Sequence, residues 1–323
     1  MTSRTCAVYK KTSVCSRGNR IRIPFPFCAA VVLAGLILYS PASAAEGVRG
    51  GLALCAYSVI PSLFPFLVLS PMLAEGIRCI MGRLCRGRMG ERSAALLSAY
   101  VVGMLAGFPI GALTVLSLYN QGRIGREDAA RFLGVCTGAS PAFLIGYFGQ
   151  SLWGCAAPGW VMWLLQCLFC LAGVFCLLRK DTEVSSVTRL ASDETPPTLT
   201  QCISGAVPRI LQICGCVVIF SVLRAFICQW FPVHMACILG GMSEMTGGLC
   251  DAAALYTKGL TDKRIALTVS GAVIGFGGVC VGMQIADAAA QAGISMRQYW
   301  IQRMLLGVLC ALAATGMGIF GIG

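Results

Sequence analysis

Charge is scarce in this chain. Lys, Arg, Asp and Glu make up 12% of its 323 residues, where a soluble domain carries about 25%. Residues 23–45, 50–74, 93–122, 132–178, 265–286 and 304–323 contain none of the four. Histidine is scarcer still. His234 is the single one, which excludes a His-based metal site; it follows Phe231-Pro232 at a segment start and reads as interfacial rather than as a proton relay. HExxH, GxSxG and Walker A motifs are missing too. The chain is therefore expected to be a non-enzyme without cofactor or metal, apart from a coupling ion, H⁺ or Na⁺. An intramembrane enzyme using Glu244 and Asp251 is the residual alternative.

What is abundant is apolar sequence, 57% of the residues. One helical crossing takes roughly 20 apolar residues. In hydrocarbon every backbone N–H and C=O must be satisfied within the segment, so the long uncharged runs should be helices. The 39 glycines suit packed membrane helices better than soluble ones. The expected fold is all-α and polytopic, with about eight hydrophobic segments in one membrane domain. The coarse segments are 23–45, 50–74, 93–120, 127–150, 158–178, 203–230, 234–257, 264–290 and 299–320.

The net charge of +12 does not indicate nucleic acid, because no zinc-finger or RNA-binding motif accompanies it. The basic residues instead sit at segment ends. Six lie in the tail (Arg4, Lys10, Lys11, Arg17, Arg20, Arg22) and five between Arg78 and Arg92. That is the positive-inside pattern of a cytoplasmic face, with lipid headgroups as the natural partner. The tail, the apolar run Phe25–Tyr39 and Ala42-Ser43-Ala44 imitate a cleaved signal peptide. The next segment begins almost at once, at Gly50, which favours an uncleaved first helix and a cytoplasmic N-terminus. The 19 cysteines are irregularly spaced and mostly lie inside apolar runs. They read as small hydrophobes rather than as disulfides or metal ligands, and Cys167-Leu-Phe-Cys170 reads as packing.

Four parts follow: a basic tail at 1–22, a first membrane half at 23–178, a charged linker at 179–201 and a second membrane half at 202–323. The linker holds seven charges between Arg179 and Glu194, then Pro196-Pro197. The halves resemble each other at a shift of 137 residues. Gly103 falls on Gly240, Gly111 on Gly248, Leu118-Tyr119 on Leu255-Tyr256, Gly122 on Gly259, Gly134 on Gly271 and Ser140-Pro141 on Gly277-Gly278. Charge bias adds an orientation. If one segment between 93 and 150 fails to cross, loops 75–92, 179–201 and 258–264 all lie inside and the halves start on opposite faces. That is an inverted repeat, common among secondary transporters.

The segments are interrupted at matching places. Gly107-Phe-Pro109-Ile-Gly111 and Gly138-Ala-Ser140-Pro141 break the first half. Gly240 to Gly248, containing Glu244, Thr246 and Gly247, and Gly275-Phe-Gly277-Gly278 break the second. Proline removes a donor and clashes with the turn before it. Open backbone at membrane depth survives only where protein buries it or water reaches it, and paired interruptions point to a midplane binding site. Close packing through GxxxG is the alternative, and for Gly103 with Gly107 it is the better one.

At these motifs the chain resembles the sporulation integral membrane proteins of spore-forming Firmicutes. The resemblance rests on Ser58-Val-Ile-Pro-Ser-Leu-Phe-Pro-Phe66, Gly107-Phe-Pro-Ile-Gly111, Ser140-Pro-Ala-Phe143, Glu244-Met-Thr-Gly247 and Phe276-Gly-Gly-Val-Cys280 with Gln284. It runs from about Ala45 to Leu312. It implies a Gate, or nucleoside-recognition, domain in each half, related to concentrative nucleoside transporters and to the membrane part of ferrous-iron transporter B. Gly138 stands where that family is expected to carry Asn.

Glu244 is the sharpest single feature. A carboxylate at bilayer depth costs roughly 2.5–3.5 kcal/mol on insertion scales unless paired or wet, and is a functional candidate by default. It could carry H⁺ or Na⁺, or form a structural ion pair with Arg209 or Arg224. Asp251 and Asp287 lie nearer segment ends and are expected to face water; Arg131 is expected to pair on the surface with Glu127 or Asp128. The candidate solute and ion site is thus Gly107, Pro109, Gly111, Ser140, Pro141, Glu244, Thr246, Gly247, Gly277, Gly278 and Gln284. The expected function is movement or binding of a small polar solute, nucleoside-like or other. The alternative is a membrane scaffold for spore-envelope formation. Other sporulation membrane proteins or a second copy of the chain are the protein partners either reading allows.

Overall fold

A computed structural model describes residues 25–84, 90–179 and 197–320, so the basic tail and most of the charged linker lie outside it. Among the described residues the chain is mostly helical, with no strand. The all-α polytopic fold is therefore as the sequence predicts. Five helical stretches are long and apolar enough to cross a membrane: Pro41–Ala74, Ala157–Leu178, Leu199–Trp230, Lys263–Gln291 and Arg297–Gly318. Their lipid-facing sides carry exposed Leu, Ile, Val and Phe, as a hydrocarbon solvent allows.

Helix α1 (Phe25–Tyr39) is a unit by itself. The two first segments expected at 23–45 and 50–74 divide elsewhere. The break falls at Ser40, and α2 (Pro41–Leu54) starts directly after it with Pro41 in the first turn. Proline's fixed φ suits a helix start, and it drives the preceding residue out of the helical region; Ser40 has φ −137° and ψ 79°. The helix then continues through a π-helical turn at Cys55–Val59 into α3 (Ile60–Leu84).

Starting from α2, the same order of elements occurs twice. The first set opens with the α2–α3 helix, followed by α4 (Glu91–Ala106), α5 (Ile110–Asn120), α6 (Arg126–Phe132), a π-helix at Ala142–Leu152 and α7 (Ala157–Leu178). The long α8 (Leu199–Trp230) opens the second set. It is followed by α9 (Val233–Ser243), α10 (Met245–Thr257), α11 (Lys263–Phe276), α12 (Gly278–Gln291) and α13 (Arg297–Phe320). The correspondence reaches single hydrogen bonds. After α5, the amides of Gly122 and Arg123 donate to the carbonyls of Tyr119 and Leu118; after α10, those of Gly259 and Leu260 donate to Tyr256 and Leu255. The two turn glycines have φ 68° and 70°.

α4 with α5, and α9 with α10, are hairpins rather than crossings. A methyl added at Gly111 would lie 2.8 Å from Gly103 Cα, and one at Gly248 would lie 2.1 Å from Gly241 Cα. In a continuous helix, residues seven or eight apart are about 10–12 Å apart. The chain therefore reverses at Gly107–Pro109 and again at Glu244. Segments 93–120 and 234–257 dip and return, which corrects the expectation that one segment alone fails to cross.

Helix directions follow from the glycine contacts. Gly47 of α2 packs on Val222 of α8 and Gly51 on Val218, so numbering rises in one helix as it falls in the other. α2 and α8 are antiparallel. Gly271 meets Cys310 and Gly275 meets Gly307, so α11 and α13 are antiparallel as well. Two sets of contacts mark the ends of the bundle. Arg92 binds Asp128 through two 2.6 Å bonds, and Arg126 reaches the carbonyl of Gly293 at 2.5 Å. At the other end Ser43 donates to Gln229, and Trp153 stacks on Tyr256. The turn at 258–262 thus lies at the opposite end from the turn at 121–125, which overturns the expectation that loop 258–264 shares a face with loops 75–92 and 179–201.

Candidate solute site

The interruptions converge. At Gly107 the backbone takes φ 82°, a conformation open to glycine. A side chain there would also strike Ser140, with its Cβ 2.7 Å from the Ser140 amide. At Gly277 φ is 87°, and a Cβ would lie 2.8 Å from the ring of Phe108. One at Gly278 would touch the Met245 amide at 3.3 Å. Each reversal therefore packs on the break in its own set, and Phe108 joins the sets.

The prolines do not act as helix breakers from within. Pro109 precedes the first residue of α5, after a cis Phe108–Pro109 peptide, and Pro141 precedes the π-helix. Both stand where a missing N–H leaves no helical bond unmade. The breaks belong to Gly107 and Gly277.

A cavity opens between these ends, about 550 Å³ with its mouth. Of the predicted residues, Pro109, Ser140, Glu244, Thr246 and Gln284 line it. Gly107 backs Ser140. Gly111 lies in a slot around the Cys136 carbonyl, 1.7 Å from an added Cβ, and Pro141 sits beside the lining rather than in it. Gly247, lacking a side chain, leaves the gap between Glu244 and Arg224 unfilled, and Gly277 and Gly278 support the wall from behind. Apolar side chains complete it, chiefly Val59, Leu63, Phe108, Phe143 and Val217, with Ser62 and Cys280.

Glu244 is 2% exposed and caps α10 with its own side chain. Oε1 accepts from the Thr246 amide at 2.8 Å and Oε2 from the Gly247 amide at 2.6 Å. Bonds to a charged acceptor contribute about 1.5–3 kcal/mol each, and the helix N-terminus adds a favourable dipole. Two such bonds offset part of the several kcal/mol of desolvating a carboxylate. The ion pair expected of Glu244 is made by another residue: Arg224 binds Asp251, while Arg209 is exposed. Asp251 is therefore half-buried and paired instead of simply facing water. Asp287 is exposed, His234 is exposed in the first turn of α9, and Arg131 pairs with Glu127 on its own helix.

Around Glu244 the cavity offers mostly acceptors. Gln284 gives Nε2 to Cys280 Sγ, and its buried Oε1 has no protein partner. Ser62 spends its proton on the Ser58 carbonyl and keeps lone pairs, while Ser140 Oγ accepts from the Phe143 amide.

Sequence reading missed two buried polar residues. Arg303 is 0% exposed. It donates to the carbonyls of Thr137 at 2.8 Å, Phe276 at 3.2 Å and Ile274 at 3.3 Å, and lies 4.8 Å from the Phe108 ring centroid. Thr137 and Ile274 correspond at the 137-residue shift, so one guanidinium fastens equivalent chain ends of both sets. By the same shift Arg303 corresponds to Gln166, also 0% exposed, whose Oε1 accepts from the Ala139 amide at 3.1 Å. The signal was available: apply the shift found at the glycines to every polar residue inside an apolar run.

The chain is similar to the sporulation integral membrane protein YlbJ of Bacillus subtilis (strain 168), at 23% identity over 325 aligned positions, 87% of this chain and 79% of the other. No protein-family model matches. No solved structure matches either.

Proposed function

We propose that this is a multi-pass membrane protein of sporulation that binds and moves a small polar solute, with Glu244 coupling the movement to H⁺ or Na⁺. The observation that carries the proposal is the convergence of two reversals and two breaks on one cavity that holds a buried, amide-capped carboxylate. Such broken helices at the interface of two repeats are the usual seat of a transported solute. The likeness to a sporulation membrane protein supports the setting. The Gate-type resemblance supports a nucleoside-like or other small solute.

Each set contributes a crossing, a hairpin that returns, a broken crossing and a final crossing. Three crossings is an odd number, so the second set starts on the opposite face. This agrees with antiparallel α2 and α8 and describes an inverted repeat. The end of the bundle carrying Arg92, Arg123, Arg126 and Arg297 is the more basic and is assigned to the cytoplasm. On a background stripped of native cysteines, cysteines placed at Gly90 and Thr198 should be labelled from the cytoplasmic side, and one at Leu260 from the other. Labelling of Leu260 and Gly90 from one side would remove the inverted repeat. The mainly apolar lining favours a second reading, a scaffold that keeps the cavity for packing. The two differ over Glu244→Gln.

A further inference from the structure

Arg224 lies between two carboxylates, and the chain leaves the path between them open. Its Nη1 donates to Asp251 Oδ2, at the 29% exposed end of the cluster. Its Nε is buried and has no partner. On that side stands Glu244, held off by a glycine. A Cβ at Gly247 would be 2.6 Å from Arg224 Nε and 2.9 Å from Glu244 Oε2. A Cβ at Gly240 would press on the Arg224 stem, 3.0 Å from its Cγ. The two glycines form a track along the α9–α10 hairpin in which the guanidinium can shift by the width of one methyl group.

We propose that Arg224 is a shared counter-ion that passes between Asp251 and Glu244. This rests on the reading of Glu244 as the coupling carboxylate and names the positioning residue that governs it. When Glu244 holds its H⁺ or Na⁺, Arg224 stays with Asp251, as in the structure. When Glu244 gives the ion up, Arg224 Nε closes on it, and Asp251, nearer the surface, falls back on solvent. Arginine stays protonated throughout, so it moves charge without carrying the proton. The other titratable groups around Glu244 are Tyr147 from the π-helix, Cys55 from the π-turn, Cys250 and Asp251 on α10 and Cys280 on α12. Arg224 is the cation of that group.

A double-mutant cycle on the purified full chain in detergent tests the exchange. Asp251→Asn alone should melt close to wild type, because Glu244 takes over the guanidinium; Glu244→Gln alone should lose only what one of its two amide bonds contributes. The double variant leaves a buried arginine with neither partner. It should melt on the order of 5 °C or more below the sum of the single effects. Additive effects would overturn the proposal, as would an Asp251→Asn protein that fails to insert, since both describe a fixed Arg224–Asp251 pair. Solute accumulation by Glu244→Gln judges the underlying reading separately. Additive melting with lost accumulation sinks only the exchange, and synergistic melting with normal accumulation sinks only the coupling role.

Discussion

Glu244→Gln is expected to yield a protein that inserts and folds yet no longer accumulates solute against a gradient. Gln keeps the shape, and its Oε1 can still accept one of the two amides that Glu244 binds. The stability loss should be about 1.5–3 kcal/mol, one charge-assisted bond. Function should suffer more. A group that couples must exist in ion-loaded and ion-free forms, and Gln has one form. Losing one coupled proton removes about tenfold of accumulation per unit of pH difference across the membrane. Comparing wild type and Glu244→Gln under imposed pH and Na⁺ gradients would read this directly. Glu244→Asp should keep part of the activity with altered ion affinity. Unchanged gradient dependence in Glu244→Gln would assign the carboxylate to capping alone.

Arg303→Met should be the most destabilising side-chain change in the second set. The substitution leaves the carbonyls of Thr137, Ile274 and Phe276 without the donor they share. Each buried acceptor left unmet costs about 1–3 kcal/mol, so a total near 3–5 kcal/mol is expected, a large fraction of a typical net stability. The contact with Phe108 goes too, and with it the link between the sets at the cavity wall. Arg303→Lys keeps the charge but has no planar fork for three carbonyls, so it should restore little. Melting in detergent measures both. A Met variant as stable as wild type would mean that water or a 3₁₀ turn satisfies those carbonyls unaided.

How much was legible from sequence depends on what periodicity and charge can encode. The long spans were legible because hydrocarbon demands uncharged runs. The four interruptions were legible because glycines cluster at each of them, beside proline in the first half, within otherwise long apolar runs. Five predicted residues, Pro109, Ser140, Glu244, Thr246 and Gln284, do share one cavity. Hairpins were not separable from crossings. Residues 93–120 and 234–257 have span-like length, and what folds them back is contact between Gly103 and Gly111 and between Gly241 and Gly248, which no hydropathy window weighs. Arg303 sits at the border of an uncharged run and reads as a segment end, although the structure buries it fully. Pairing of Arg224 with Asp251 in preference to Glu244 was hidden for a related reason. Glu244 is met by amides of its own helix, and such capping depends on where the chain turns.

The small-molecule content of developing spores with and without this protein tests the central claim most directly, provided the Glu244→Gln strain is profiled alongside. A solute-moving protein predicts that a narrow set of small molecules changes on deletion and that Glu244→Gln, present in the membrane at wild-type level, reproduces the change. Defective spores with an unaltered small-molecule profile in the deletion strain would contradict it and leave a scaffold whose cavity serves packing.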